Sequence, residues 1–414
     1  MHVCVLGAGI VGLVTAWELQ RLGHRVTVIE RAAAPGSGAS GGNGAQLSYS
    51  YVQPLADASI WKQLPKLLLS ADSPLKLRPQ LDPLQWRWAI EFLAACNAGT
   101  SRATTTHLLA LAALSRTAFD EMRADLRPDC DFSATGKLVL YGSSASLDGA
   151  QRQVDLQRGL GSVQWLVSPD ECIALEPALA GYRAHIAGAV YTPSECAADC
   201  LKVCTEIEHT LRRRRVVFML ETEVRGFDMR GGRVAAVKTH TRHGPGSVEA
   251  DVFVLATGSA SHKLGRALGV SLPVYPLKGY SITVDVGALP GATGAPRVSV
   301  TDSARKVVFA RIGSRLRVAG MAELVGHDAR FPAERIETLV AATRSVFPHA
   351  IPAAGNPALH PWTGMRPATP TGLPIVGRRS GAPDNMLFNV GHGALGFTLS
   401  FGSARLLAQA LPTA

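Results

Sequence analysis

The chain has no cysteine after Cys204, no histidine among its closely spaced cysteines, no basic stretch ahead of its first apolar run, and no internal repeat or long linker. Each absence narrows the reading. Seven cysteines, an odd number without a secretory signal pattern, suggest reduced thiols in a cytoplasmic setting. Cys196, Cys200 and Cys204 are spaced to share one helix face, but three soft ligands on one helix cannot easily surround an ion tetrahedrally. A face packed on a sheet is expected there, and no metal site. Val3 to Leu19 is largely apolar, yet three glycines, Glu18 and the missing basic stretch argue against a signal peptide or membrane helix. With 18% charged and 47% hydrophobic residues the composition is globular, and 414 residues suffice for two domains or one large interleaved body. The formal net charge of +10 permits attraction to anionic ligands or membrane surfaces without identifying either. Arg212 to Arg215 follow a helical stretch, Ala197 to Leu211, where cations complement the helix dipole. Neither aromatic interleaving nor a recognised module accompanies them, so nucleic acid is not expected as a partner.

What is present begins at once. Val3-Cys4-Val5-Leu6 is a short apolar β-type run feeding Gly7-Ala8-Gly9-Ile10-Val11-Gly12, a G-x-G-x-x-G turn. A helix-compatible segment, Leu13 to Leu22, and a second β-type run, Arg25 to Glu30, complete a βαβ unit built to hold a dinucleotide. Gly7 permits the tight turn, Gly9 removes a Cβ that would keep the pyrophosphate away, and Gly12 lets helix and strand approach. The helix N-terminus offers N–H groups and partial positive charge to phosphates. Glu30 is placed to accept hydrogen bonds from a ribose hydroxyl. These residues leave NAD and FAD both open. Gly36 to Gly41 repeats the glycine pattern with no helix-forming segment after it, which reads as a loop. That loop, residues 35 to 54, can bring backbone close to a flat polar ring, with Ser40, Asn43 and Gln46 offering specific hydrogen bonds.

Residues 55 to 95 mix Trp61, Trp86, Trp88 and Leu67-Leu68-Leu69 with Lys62, Lys66, Lys76, Arg78 and Arg87. A membrane-surface patch and a cover over an active site would both look like this. A helix over 101 to 125 follows, then strands at Lys137 to Tyr141, Ala187 to Tyr191 and Val216 to Leu220, and a hairpin around Gly231-Gly232. Val252 to Leu255 is a buried strand ending in the small-residue turn Ala256-Thr257-Gly258-Ser259, where the chain returns to the nucleotide-binding sheet. Strands at Lys278 to Val284, Val307 to Ile312 and Leu316 to Ala319 precede a helix from Pro332 to Phe347. A strand from Met386 to Val390, the turn Gly391-His392-Gly393 and a helix beginning near Gly396 come last.

Six motifs in this order resemble the FAD-dependent D-amino-acid oxidase superfamily, and most closely its bacterial D-amino-acid dehydrogenases. They are Gly7-x-Gly9-x-x-Gly12 with Ala16, Gly23 and Glu30; Ser40-x-x-Asn43-x-x-Gln46-Leu47-Ser48; Val274 to Ser281; Gly320-Met321-Ala322-Glu323; Trp362-Thr363-Gly364-x-Arg366-Pro367-x-Thr369-Pro370; and Gly391-His392-Gly393-x-x-Gly396-x-Thr398. The resemblance implies an α/β fold (α+β overall), a glutathione-reductase-type Rossmann FAD domain with an interleaved strand-rich substrate domain. The FAD domain would comprise 1–82, 193–272 and 358–414, and the substrate domain 83–192 and 273–357. Non-covalent FAD would be held by Gly7, Gly9, Ile10, Val11, Gly12, Glu30, Arg31, Ser40, Asn43, Gly44, Gln46, Leu47, Ser48, Val224, Ala256, Thr257 and Gly258. Further contacts would come from Gly364, Arg366, Gly391, His392, Gly393, Leu395, Gly396 and Thr398. The missing cysteine after Cys204 excludes a covalent flavin–cysteine bond of the kind seen in related sarcosine oxidases.

Arg366 matches the family arginine that clamps the substrate carboxylate, a role suited to two parallel guanidinium bonds. Tyr280 and Tyr51 are candidates for bonding that carboxylate or capping the pocket. Oxidative deamination of small or apolar D-amino acids is implied, with hydride passing from Cα to flavin and electrons going on to a membrane quinone. The protein would then be cytoplasmic and peripheral on the inner membrane. An oxygen-using flavin oxidase of glycine, sarcosine or cyclic imino acids is the alternative, followed by an NAD-dependent dehydrogenase and by a non-catalytic binder. Thr371, Ser48-Tyr49-Ser50-Tyr51 and Ser194-Glu195-Cys196 depart from the family pattern, which bears on the substrate side chain.

Overall fold

The computed structural model describes residues 1–58, 60–61, 75–287, 294–351 and 359–411. Lys62, Lys66 and Leu67 to Leu69, singled out above, lie outside them.

The opening βαβ unit consists of strand β1 (His2–Leu6), helix α1 (Ile10–Arg21) and strand β2 (Arg25–Ile29). β1 and β2 pair in parallel, and both bury a run of apolar residues because the sheet is covered on each face. They belong to a six-stranded sheet ordered 375–377, 386–390, 252–255, β1, β2, 217–219, parallel except for its edge strand Ile375–Gly377. On one face pack α1 and the helices Ala98–Leu126, Cys200–Arg213 and Gly396–Gln409, around Trp17, Phe119 and Phe401. On the other, a three-stranded antiparallel sheet (223–249) packs Val234 and Val237 against Phe253 and Phe388.

A second, nine-stranded sheet runs 359–368, 275–285, 315–324, 307–312, 299–302, 137–141, 188–192, 165–167, with Leu75–Leu77 paired to Arg315–Leu324. Its outer face packs on helix Ala333–Val346 through Phe309, Leu339 and Phe347. Lys278 pairs with Glu323 and Tyr280 with Gly320, so three steps on one strand face two on the other, a β-bulge with Met321 at φ +60°.

Three expectations shift. Leu359–Ala368 and Leu75–Leu77, placed with the cofactor domain, belong to the nine-stranded sheet, where their backbone groups find partners. Helix Ala98–Leu126, placed with the substrate domain, packs in the core of the six-stranded sheet because its buried Leu108, Leu111 and Phe119 meet helix Gly396–Gln409. Cys196 is not on a helix: it pairs with Leu47 in a two-residue strand, and the helix starts at Cys200, capped by Asp199. All seven cysteines are buried and free, and no group of described residues has the makings of a metal site.

Candidate active site

A single cavity of roughly 2480 Å³ runs from the end of β1 to the inner face of the nine-stranded sheet. That is more than twice the ~1,000 Å³ upper range of drug-sized ligand pockets, room for a dinucleotide and a second small molecule. At its N-terminal end α1 (N-cap Gly9, with no side chain to cap it) keeps the N–H groups of Val11 and Gly12 for a ligand, the Ile10 N–H being bonded by Ser40. Gly7 sits at φ +104° against the Ala256 carbonyl, and a Cβ on Gly12 would come within 1.9 Å of the Gly7 oxygen, so the turn tolerates only glycine. Glu30 holds the turn by accepting from the Ala8 and Ala32 N–H groups at 2.7 and 2.9 Å. Its remaining lone pairs face the cavity it lines. Ser40 Oγ accepts from the Ile10 N–H at 3.0 Å, which ties the glycine loop to the start of α1.

From Gly42 to Ser48 the loop crosses the second sheet. Ser281 Oγ donates to the Gly42 carbonyl, Arg317 Nη1 to the Asn43 carbonyl, and Gln46 Nε2 to the Val300 and Phe309 carbonyls. Trp362 lies between Gly42 and Gly364, where a Cβ on either glycine would come within 2.1 Å of the indole. The loop then reaches the C-terminal helix, since the Ser48 N–H donates to Thr398 Oγ1 at 3.2 Å. The Gly391 to Thr398 segment lines the cavity here. His392, 2% exposed and bonded through Nε2 to Ser403 Oγ, is held neutral because burial lowers its pKa to about 3.

Arg366 faces the same space. Its guanidinium lies over Gly279 and donates through Nη1 to the Met321 carbonyl at 2.8 Å, a group aimed there by the bulge. No carboxylate among the described residues pairs with it, and burial alone lowers its pKa to about 10. A half-buried guanidinium with one neutral partner, facing a cavity, is a receptor for an anion. Lys137 is a buried cation on the cavity wall, donating to Ser48 Oγ at 2.8 Å and lying 4.3 Å from the Tyr51 ring centre. Burial lowers its pKa to about 8, opposed by the charge of Glu195.

The structure brings most of the expected residues to this wall: Gly7, Gly9, Ile10, Val11, Glu30, Arg31, Ser40, Asn43, Gly44, Gln46, Ser48, Tyr51, Val224, Ala256, Thr257, Gly258 and Arg366 line it. Gly391, His392, Gly393, Leu395, Gly396 and Thr398 do too. Gly12, Leu47 and Gly364 stand behind the wall, in close packing. Tyr280 is not at the site: alternation along its strand turns Leu277 toward the cavity, puts Gly279 under the Arg366 guanidinium on the same face, and turns Tyr280 away. Its hydroxyl donates to Glu323 at 2.7 Å, and Glu323 pairs with Arg335. Sequence reasoning missed Lys137, Gly279 and the backbone of Met321. A lysine opening the otherwise apolar run Lys137-Leu138-Val139-Leu140 was the one available signal.

A dinucleotide cradle joined to a sheet-lined anion receptor is the arrangement of a dinucleotide-dependent oxidoreductase. Residues 2–410 match the DAO family of FAD dependent oxidoreductases, and the chain belongs to it. FAD is its cofactor, and the glycine-framed cradle, the Val11 and Gly12 N–H groups at the start of α1 and Glu30 fit the dinucleotide part. It is 48% identical to D-amino acid dehydrogenase 2 of Ralstonia nicotianae, covering 99% of this chain and 96% of that one. It is 43% identical to D-amino acid dehydrogenase 2 of Pseudomonas aeruginosa, over 99% and 94%. The glycine oxidase structure from Geobacillus kaustophilus shares the fold with a TM-score of 0.74 at 23% identity, covering 100% of this chain and 95% of that one. The L-proline dehydrogenase from P. horikoshii does so at 0.72 and 18%, over 99% and 92%.

Proposed function

We propose that the protein deaminates D-amino acids oxidatively to 2-oxo acids and ammonia and passes the electrons to a quinone-type acceptor. The observation that carries this is Arg366, a half-buried guanidinium that faces the same cavity as the dinucleotide cradle and has no acidic partner among the described residues. Arg366 clamps the substrate α-carboxylate in two parallel bonds, while Met321 holds the guanidinium plane. Tyr51 lines the cavity and supplies a phenol donor toward the substrate. The turn at Gly393 and the helix Gly396–Gln409 aim N–H groups into the cavity where negative charge develops. When bound, the flavin supplies the acceptor for the hydride leaving Cα. The chain contributes position and electrostatics, and His392 serves as a neutral packing group rather than a proton carrier.

The finer assignment concerns the acceptor. Leu81, Trp86 and Ile90 are exposed on and beside helix Pro83–Ala95, close in sequence to Trp61, Arg78 and Arg87. Apolar bulk with cations on one segment supports peripheral contact with an anionic membrane, where a quinone resides. Trp88 is not part of that face: it stacks on Phe92 and bonds the Ala368 carbonyl. No helix among the described residues is long and apolar enough to cross a membrane.

An anaerobic screen of D- and L-amino acids for flavin bleaching tests the reaction. Bleaching by D-enantiomers is expected, and none by any amino acid would overturn it. Hydrogen peroxide formed with substrate and no added acceptor would instead favour an oxidase. Co-sedimentation with anionic vesicles that survives Trp86→Ser unchanged would count against the membrane face.

A further inference from the structure

Lys137 opens the strand Lys137–Tyr141 on the inner face of the nine-stranded sheet and is 3% exposed. Its ammonium reaches Ser48 Oγ, the Ser48 N–H reaches Thr398 Oγ1, and Thr398 lies in the first turn of helix Gly396–Gln409. All three residues line the cavity. A cation is thereby fixed at the spot on which that helix N-terminus converges. Glu195 is the nearby counter-charge, but it does not line the cavity. Its oxygens are taken by the Tyr49 and Ser50 N–H groups at 2.8 and 2.7 Å. No carboxylate among the described residues stands within ion-pair distance of Lys137. With a pKa lowered to about 8 by burial, the side chain still carries its charge at neutral pH.

We propose that Lys137 is an electrostatic positioning residue for the cofactor, whose buried charge, set against that of Glu195, favours the reduced flavin and so makes the bound FAD a stronger oxidant. This rests on the flavoprotein reading above, in which Ser48 and Thr398 would help hold the ring end of the cofactor. Burial pushes the Glu195 carboxyl up, opposed by the charge of Lys137 and by the Ser50 and Tyr49 N–H groups it accepts from, and groups of opposite charge type at the two positions make the effect separable from packing. Coulomb coupling in a buried site is weakly screened, so a single charge deletion there shifts an equilibrium measurably.

The test is the flavin midpoint potential of the holoenzyme, read by spectroelectrochemistry, for wild type, Lys137→Met, Lys137→Arg and Glu195→Gln. Lys137→Met is expected to destabilise the reduced form by at least about tenfold, a shift of about 30 mV to more negative potential for a two-electron couple. Lys137→Arg should keep the wild-type value, and Glu195→Gln should move it the opposite way. A purely structural role would displace both deletions in one direction or in neither, and either result overturns the proposal. If Lys137→Met does not fold, the sign of the Glu195→Gln shift decides alone: a positive shift supports the proposal, and no shift or a negative one removes it. Wild-type protein that takes up no flavin would instead remove the underlying reading.

Discussion

Gly279 leaves empty the volume that Arg366 fills. A Cβ at Gly279 would stand 2.4 Å from Nη2 and 2.5 Å from Cζ of the guanidinium, so two neighbouring strands, paired through Gly279 and Gly364, leave a slot for one side chain. Gly279→Ala is therefore expected to displace the guanidinium with little effect on the distant βαβ cradle. Overpacking of this kind costs about 1–3 kcal/mol. Steady-state kinetics should show kcat/KM falling by tenfold or more at full flavin content. Unchanged kinetics would mean that Arg366 does not need this slot.

Arg366 itself should matter more. Two charge-assisted bonds to a carboxylate, each about 1.5–3 kcal/mol, correspond to about two to four orders of magnitude in kcat/KM. Arg366→Ala is expected to lose that much while the flavin spectrum persists. Arg366→Lys should recover only part, because an ammonium cannot bind in the planar, bidentate way. Wild-type turnover by Arg366→Ala would sink the clamp.

Legibility in the sequence followed the range of the interactions. Gly7 to Glu30 was readable because one βαβ unit contains the turn, the helix start and the acid at fixed spacing. The Gly391 to Thr398 turn was readable for the same reason. Lys137 was not, since its meaning depends on Ser48, 89 residues earlier, and on Thr398 beyond it. Tyr280 was misplaced because a strand shows its alternation but not which face is inward, and the register that decides this comes from pairing with Arg315–Leu324. The bulge at Met321 had no local signature either, since a left-handed methionine is held by its neighbours rather than by propensity.

Gly12→Ala separates cofactor binding from catalysis. The new Cβ would meet the Gly7 carbonyl oxygen at 1.9 Å, a backbone atom that can move only by opening the turn. The variant is expected to purify colourless and to need at least tenfold more FAD for half-saturation in reconstitution. Stoichiometric yellow protein would show that the turn adapts.

His392 gives the fold a pH dependence whose sign can be worked out. Burial lowers its folded pKa to about 3, whereas in the unfolded chain it lies near 6.5, so the unfolded state binds the proton more readily. The contribution is complete above pH 6.5 and is lost progressively as pH falls toward 3. At pH 5, 1.5 units below the unfolded value, the cost is about 2 kcal/mol at 1.36 kcal/mol per unit. Asparagine has no such titration and can still hydrogen-bond toward Ser403. Urea unfolding with saturating FAD at pH 7 and pH 5 should therefore show a smaller loss of stability in His392→Asn than in wild type, by about that amount. Equal losses in the two proteins would mean that His392 is protonated in the folded state, and the neutral packing role assigned to it would fail.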